Sequence, residues 1–183
     1  RAMPTLLSLS GAALNSEERQ ILDLYNAYLD TAAIEAQGLK PAMKDLDYIA
    51  GLKTAADVAR AMGAVGRGTT SIFGTYITTD VKSSHAYVTY VAQAGLGMPD
   101  RDYYLHDDAA LAATREAYKK YLATMLTLTG AKNAERRAKA VFDLETEIAK
   151  VEWSAADRRD ADKTYNPTTI AKLETDAPGF AWA

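Results

Sequence analysis

Residues 95–105 read Gly-Leu-Gly-Met-Pro-Asp-Arg-Asp-Tyr-Tyr-Leu: two glycines, a proline, three charges and two tyrosines in eleven positions. The texture of the chain changes on either side of them. Upstream, "SIFGTYITTD" (71–80) and "HAYVTYVAQA" (85–94) are rich in β-branched and aromatic residues and are joined by "VKSS" (81–84). That composition predicts an antiparallel hairpin. Its alternation is imperfect, so both faces are expected to be partly covered. Downstream, apolar residues recur at helical spacing. The stretch therefore turns a hairpin into helices, and its residue types suit a corner. Gly95 and Gly97 permit backbone conformations closed to other residues, and Pro99 stiffens the exit. Arg101 can clamp a carboxylate with two parallel hydrogen bonds. Tyr103 and Tyr104 can bury their rings while their hydroxyls find partners. None of these groups supplies an activated nucleophile or a metal-activated water.

Working outward, helices account for the rest. Asn15-Ser16-Glu17-Glu18 forms a capping box, after which Ile21, Tyr25, Tyr28, Leu29 and Ala32 fall on one stripe. Gly38 ends that helix, and Pro41 opens a short one carrying Met43, Leu46 and Ile49 on one side. Thr54 caps a third, with Val58 and Met62 inward, fading into "GAVGRG" (63–68). Beyond the corner, Asp107 or Asp108 caps a long helix bearing Leu111, Tyr118, Leu122 and Met125, which Gly130 ends. Asn133 opens the next, where Val141, Leu144, Ile148 and Val151 form an apolar face. "ADRRDADKTYN" (156–166) is a polar loop, and Asn166-Pro167 reads as cap and first turn of a short helix through Leu173. Trp182 looks like an anchor whose support lies outside the chain. The predicted fold class is mainly α: one multi-helix domain over residues 1–183 with a single small antiparallel β-hairpin at about 71–93.

Composition narrows the function. With 183 residues, 48% of them hydrophobic and 25% charged, the chain can build a real core. A net charge of −3 leaves no electrostatic footprint for nucleic acid or for an anionic membrane. The absence of cysteine excludes disulfides and thiolate metal sites. No apolar run approaches the roughly 20 residues of a membrane span. The chain opens on Arg1 rather than methionine, which reads as a piece of something longer. His85 and His106 stand far apart and outside any HExxH, so two surface histidines are expected rather than a zinc site. A calcium loop begun at Asp100 would place glycine and glutamate where Leu105 and Leu111 stand. "GAVGRGTT" (63–70) lacks the phosphate-binding lysine and lies between helix and strand, in the wrong order. Ser83 and Ser84 adjoin His85, but no GxSxG is present. Asp157, Asp160 and Asp162 balance Arg158, Arg159 and Lys163, so an internal ion-pair network is expected there.

Residues 95–105 resemble the Gly-Leu-Gly-Leu-Pro-x-Arg-Asp-Tyr-Tyr stretch of the neprilysin family of zinc metallopeptidases. Three further segments agree in the same order: "DLYNAYLDTAAIEAQGLKP" (23–41), "FDLETEIAKVEW" (142–153) and "RRDADKTYNPTTIAKLETDAPGFAW" (158–182). Agreement spans about residues 17–182. The resemblance implies a parent zinc endopeptidase, of bacterial type, in which an HExxH helix and a later glutamate hold zinc downstream of the matched part. No catalytic or metal position can therefore be carried onto this chain; zinc belongs to the parent, and none to this segment. What matches is the family's N-terminal, non-catalytic helical region, which covers the zinc domain and filters substrates by size. The implied partners are that catalytic zinc domain and, in the parent, peptide substrate; nucleic acid and membrane contact are not expected. The implied location is periplasmic, secreted or membrane-tethered outside the cytoplasm. Candidate residues that either fix the fold or face the peptide chamber are Asp100, Arg101, Asp102, Tyr103 and Tyr104, with Arg158, Arg159, Asp160, Tyr165 and Asn166. Two other readings stay open: a free-standing helical binding module, and a hydrolase using Asp100 and Asp102 as acid and base.

Overall fold

A computed structural model describes residues 7–8, 14–64, 72–180 and 182. Two compact units divide the chain, Arg1–Gly51 and Leu52–Ala183. Among the described residues are nine α-helices and one two-stranded antiparallel sheet, the mainly helical class with one hairpin read from the sequence.

In the first unit, helix α1 (Ser16–Leu29) starts at the expected capping box: Glu18 N–H donates to Asn15 Oδ1 at 2.8 Å, and Asn15 N–H to Glu18 Oε2 at 3.1 Å. The helix stops sooner than the stripe through Ala32 predicts. Asp30 breaks it, because its carboxylate accepts from Ala33 N–H at 2.9 Å and so caps a new helix, α2 (Thr31–Gln37). Gly38, at φ 53°, ends α2 with its N–H on the Ile34 and Glu35 carbonyls. Pro41 lies in a 3-10 turn, Lys40–Ala42, ahead of α3 (Met43–Gly51). None of these three helices contains a buried residue.

The second unit opens with α4 (Ala55–Gly63), capped reciprocally by Thr54 and Asp57. Three hydrogen bonds, from Lys53 N, Thr54 N and Thr54 Oγ1, hold the Asp57 carboxyl down at about 2. Its buried residues are Ala59 and Ala61, whereas Val58, expected inward, is exposed. Residues 65–71, including most of the glycine-rich stretch and Ser71, lie outside the described residues. Strands β1 (Phe73–Asp80) and β2 (Ser83–Gln93) pair in the register Phe73↔Gln93, Tyr76↔Tyr90, Thr79↔Tyr87, with an irregularity at Thr79/Asp80. The turn is tighter than "VKSS": only Val81 and Lys82 separate the strands.

After the corner comes one turn of helix, α5 (Asp102–Leu105), then the long α6 (Ala109–Leu128) and α7 (Ala134–Val151). Asp108, not Asp107, caps α6, accepting from Ala110 and Leu111 N–H at 2.9 and 3.0 Å. Gly130 (φ 74°) and Asn133 (φ 56°) make the tight connection to α7. The two long helices pack together, and α5 packs on both. The unit's central cluster is Met98, Tyr104 and Ala149, flanked by Leu96, Tyr103, Leu105, Tyr118 and Phe142. The corner thus sits at the core.

The apolar face read for α7 is not its buried side. Ala138, Glu145 and Ala149 point inward, while Val141, Leu144 and Val151 remain exposed. The bulky stripe lies about a quarter turn around the helix from the buried one, at roughly 3.6 residues per turn.

The tail returns to the hairpin. A 3-10 turn (Asp157–Arg159) and a short helix α8 (Ala161–Thr164) lead to Tyr165, whose hydroxyl donates to the Asp80 carboxylate at 3.2 Å. Helix α9 (Ile170–Asp176) is capped by Thr169, whose Oγ1 accepts from Lys172 N–H at 3.2 Å. Asn166 instead donates its side-chain amide to the Lys163 carbonyl at 2.7 Å, so Asn166-Pro167 does not start the helix. Trp182 has its support within the chain: its ring stacks on Phe73 at 5.2 Å and tilts against Phe180 at 4.7 Å. Its indole N–H reaches the Ala177 carbonyl at 3.0 Å.

Candidate functional site

The corner is built around one phenol. Tyr104, buried, receives Gly97 N–H and Met98 N–H on its hydroxyl oxygen, each at 3.1 Å. The same hydroxyl donates to Glu145 Oε2 at 2.8 Å. Glu145 Oε1 accepts a second phenol, Tyr118, at 3.0 Å. One carboxylate on α7 thereby joins the hairpin exit, α5 and α6. Among the described residues no cation pairs with this buried carboxylate, and each of its two oxygens accepts from a hydroxyl donor, which is how a buried acidic group keeps its oxygens hydrogen-bonded. Burial first, then the Glu145 bond and charge, push the Tyr104 phenol up to about 12 and raise Tyr118 as well. Both hydroxyls stay protonated and donate across the physiological range.

Gly97 has to be glycine here. A Cβ on it would lie 1.8 Å from Tyr118 Oη, 2.7 Å from Tyr118 Cζ and 3.2 Å from Glu145 Oε1. Gly95 turns the chain with φ 103°.

The charged residues of the corner hold backbone. Asp100 Oδ1 accepts from Asp102 N–H at 2.9 Å. Arg101 does not clamp a carboxylate: its Nη1 donates to the Glu152 carbonyl oxygen at 2.8 Å, at the C-terminal end of α7. Its Nε is buried without a partner among the described residues. Asp102 Oδ1 lies 3.4 Å from His106 Nε2 at the surface. The Tyr103 carbonyl accepts from Arg115 Nη1 at 3.0 Å, and the same nitrogen reaches the His106 carbonyl at 3.0 Å.

Asp100, Glu152 and Arg158 share a cleft of about 200 Å³ with Gln93 and with Ala94, Gly95, Leu96, Met98 and Pro99. Burial raises the Glu152 carboxyl, against the opposing pull of Arg158 and Arg101. Gln93 ties the hairpin to the end of α7 by a reciprocal pair: Trp153 N–H to Gln93 Oε1 at 2.9 Å, and Gln93 Nε2 to the Trp153 carbonyl at 3.1 Å. The other candidates lie apart from this cleft. Asp160 caps α8, accepting from Asp162 and Lys163 N–H at 3.1 Å each. Tyr165 and Asn166 make the tail contacts given above, and Arg159 is exposed. Of the expected ion-pair network the described residues contain Lys163–Asp157 at 2.7 Å.

The structure therefore brings Asp100, Arg101, Tyr103, Tyr104 and Arg158 around the corner, and it adds four residues that sequence reasoning missed: Gln93, Tyr118, Glu145 and Glu152. Glu145 carried a readable signal, a glutamate beside the apolar stripe of α7, between Leu144 and Ile148. Among the described residues no group of three or more His, Cys, Asp or Glu could hold a metal ion. No helix among them is long and apolar enough to cross a membrane.

The fold is shared with a known peptidase. The model for peptidase family M13, in its N-terminal part, matches residues 2–183. The chain belongs to that family, the neprilysin and endothelin-converting enzyme group, and represents its N-terminal region. Endothelin-converting enzyme 1 of Cavia porcellus is 30% identical over 97% of this chain and 25% of its own length. The Homo sapiens enzyme of the same name is 29% identical, over 24% of its length. Among solved structures, the Mycobacterium tuberculosis zinc metalloprotease Zmp1 in complex with inhibitor superposes with a TM-score of 0.80 at 34% identity. That match covers 98% of this chain and 28% of the mycobacterial one. The chain thus spans about a quarter of the length of the curated relatives it matches.

Proposed function

We propose that this chain is the non-catalytic lid of a zinc metalloendopeptidase that cleaves small peptides, and that it filters substrates by size. The family match over residues 2–183 carries this reading. The corner supports it, because its polar groups are consumed in holding helices and hairpin together rather than converging on a reacting atom. In the whole protein, zinc held by residues outside this chain would supply an activated water for peptide hydrolysis. The chain's own contribution is a rigid wall that restricts access and excludes bulk water. Its partners in this reading are the catalytic zinc domain of the same polypeptide and the enclosed peptide. The enzyme works outside the cytoplasm, either free or tethered.

The test is the length dependence of hydrolysis by the full-length protein. One cleavable sequence is presented in short peptides, in longer peptides, and in an exposed loop of a folded host that a general protease cuts freely. The expected kcat/KM falls by about a hundredfold or more in the folded host, because the wall excludes it before binding. Equal rates on peptide and folded host would remove the filter role.

A further inference from the structure

The outward face of α7 is apolar where a solvated helix would be polar. Leu144 and Val151 are 61% and 79% exposed, and Val141 and Ile148 complete the stripe. At its C-terminal end the stripe runs into a largely apolar groove of about 540 Å³, where Ile72, Phe73, Ile148, Val151 and Trp153 stand with Gln93, Glu147 and Glu152. The hairpin continues the same surface. Residues directly opposite in an antiparallel pair share a face, so the register places Phe73/Gln93, Thr75/Val91, Ile77/Thr89 and Thr79/Tyr87 on one side. Phe73 and Gln93 line the groove, and beyond them Ile77 and Tyr87 are 73% and 78% exposed. A two-stranded hairpin is marginal in water without cover for its apolar side chains, and exposed large apolar residues gathered along one side of the chain mark an interaction site.

We infer that this surface, the α7 stripe through the groove to the Ile77–Tyr87 face of the hairpin, is the seat of the polypeptide that continues the same protein beyond residue 183. The inference rests on the proposed reading of the chain as one region of a longer peptidase. The relatives supply the occupant: about three quarters of each lies outside the matched stretch, and the fold is retained in the solved mycobacterial chain, of which this chain covers 28%. The chemistry of the occupant follows from the surface. It presents apolar side chains to the stripe and groove, and it meets charge at Glu147 and Glu152, which also line the groove, Glu147 being paired with Lys150 at 2.6 Å.

The cysteine-free sequence allows a direct test. In the full-length protein, Leu144→Cys, Val151→Cys and Ile77→Cys are each reacted with a maleimide, native and urea-unfolded, and labelling at the site is read by peptide mass spectrometry. Glu116→Cys, at a side chain 74% exposed on α6, is the reference. Labelling at the three sites is expected to be slower than at Glu116→Cys by at least about tenfold in the native protein, because reaction then waits on local opening, and equal after unfolding. Hydroxyl-radical footprinting of Tyr87 in the unsubstituted protein, expected to show protection, covers the case of a variant that fails to fold. Native labelling as fast as at Glu116→Cys, or protection that disappears on dilution and so belongs to a second copy, would overturn the inference. Loss of the parallel peptidase assay with protection intact would instead remove the functional reading and leave the surface assignment standing.

Discussion

Gly97→Ala is expected to destabilise the second unit by about 3–5 kcal/mol, one of the two largest effects of any single substitution at the corner. The backbone cannot retreat, because Gly97 N–H and Met98 N–H are both fixed on the Tyr104 hydroxyl at 3.1 Å. The phenol of Tyr118 must move instead, since the new methyl would lie 1.8 Å from its oxygen. That movement breaks its 3.0 Å bond to Glu145. Overpacking of a dense core costs about 1–3 kcal/mol, and losing a hydrogen bond to a charged group about 1.5–3. The measurement is a urea unfolding curve, with a lower midpoint at unchanged slope. Adding Tyr118→Phe removes the closest atom of the clash, so the double variant should recover part of the loss, which is a coupling that only neighbours show. A shift under about 1 kcal/mol for Gly97→Ala would mean that the corner is looser than described.

Glu145→Met should cost nearly as much, about 3–4 kcal/mol. Methionine fills the volume but accepts neither phenol, leaving the Tyr104 and Tyr118 hydroxyls without their shared acceptor. Some of the loss returns because a buried charge no longer needs to be desolvated. Glu145→Gln is the discriminating comparison. Its carbonyl can take one hydroxyl and its amide can donate to the other, so about 1 kcal/mol is expected. Equal losses for Met and Gln in thermal unfolding would assign the effect to charge; a neutral Glu145→Met would show that the carboxylate does not join the three elements.

The local grammar of this fold was legible. The capping box at Asn15, the cap at Thr54, a cap at Asp107 or Asp108, the stop at Gly130 and the hairpin follow from short-range chemistry and appear where it puts them, with Asp108 taking the open choice. The corner was also recognisable as a corner, from its glycines, proline and tyrosines. Reading which face of α7 is buried failed for a physical reason. Hydrophobic periodicity weighs Val141, Leu144, Ile148 and Val151 most heavily, yet close helix packing favours the small Ala138 and Ala149, and Glu145 enters the core only because two phenols meet it there. Neither phenol is near Glu145 in sequence, so no local pattern announces the pairing. Arg101 was misread in the same way. Its chemistry fits a carboxylate, but the group that reaches it is a carbonyl at the end of α7, 51 residues on. At the tail, the sequence reading put the cap on Asn166, but the extended Thr169 (φ −123°, ψ 160°) takes the role.

The bulky stripe left outside and the small residues turned inward have one consistent explanation: the sequence of α7 is written for two neighbours, α6 on one side and more of the protein on the other. The polar groups of the corner are spent on the chain's own architecture, as the proposed role of a wall requires. The chemistry of the family then sits on another segment.

The most direct measurement is the zinc content and peptidase activity of the purified 183-residue chain, taken beside the full-length protein after equilibration with buffered zinc and with helicity checked by circular dichroism. Tightly held zinc and peptide hydrolysis are expected in the full-length protein, and neither in the folded 183-residue chain. Stoichiometric zinc held by that chain alone, or hydrolysis that survives removal of everything else, would contradict it.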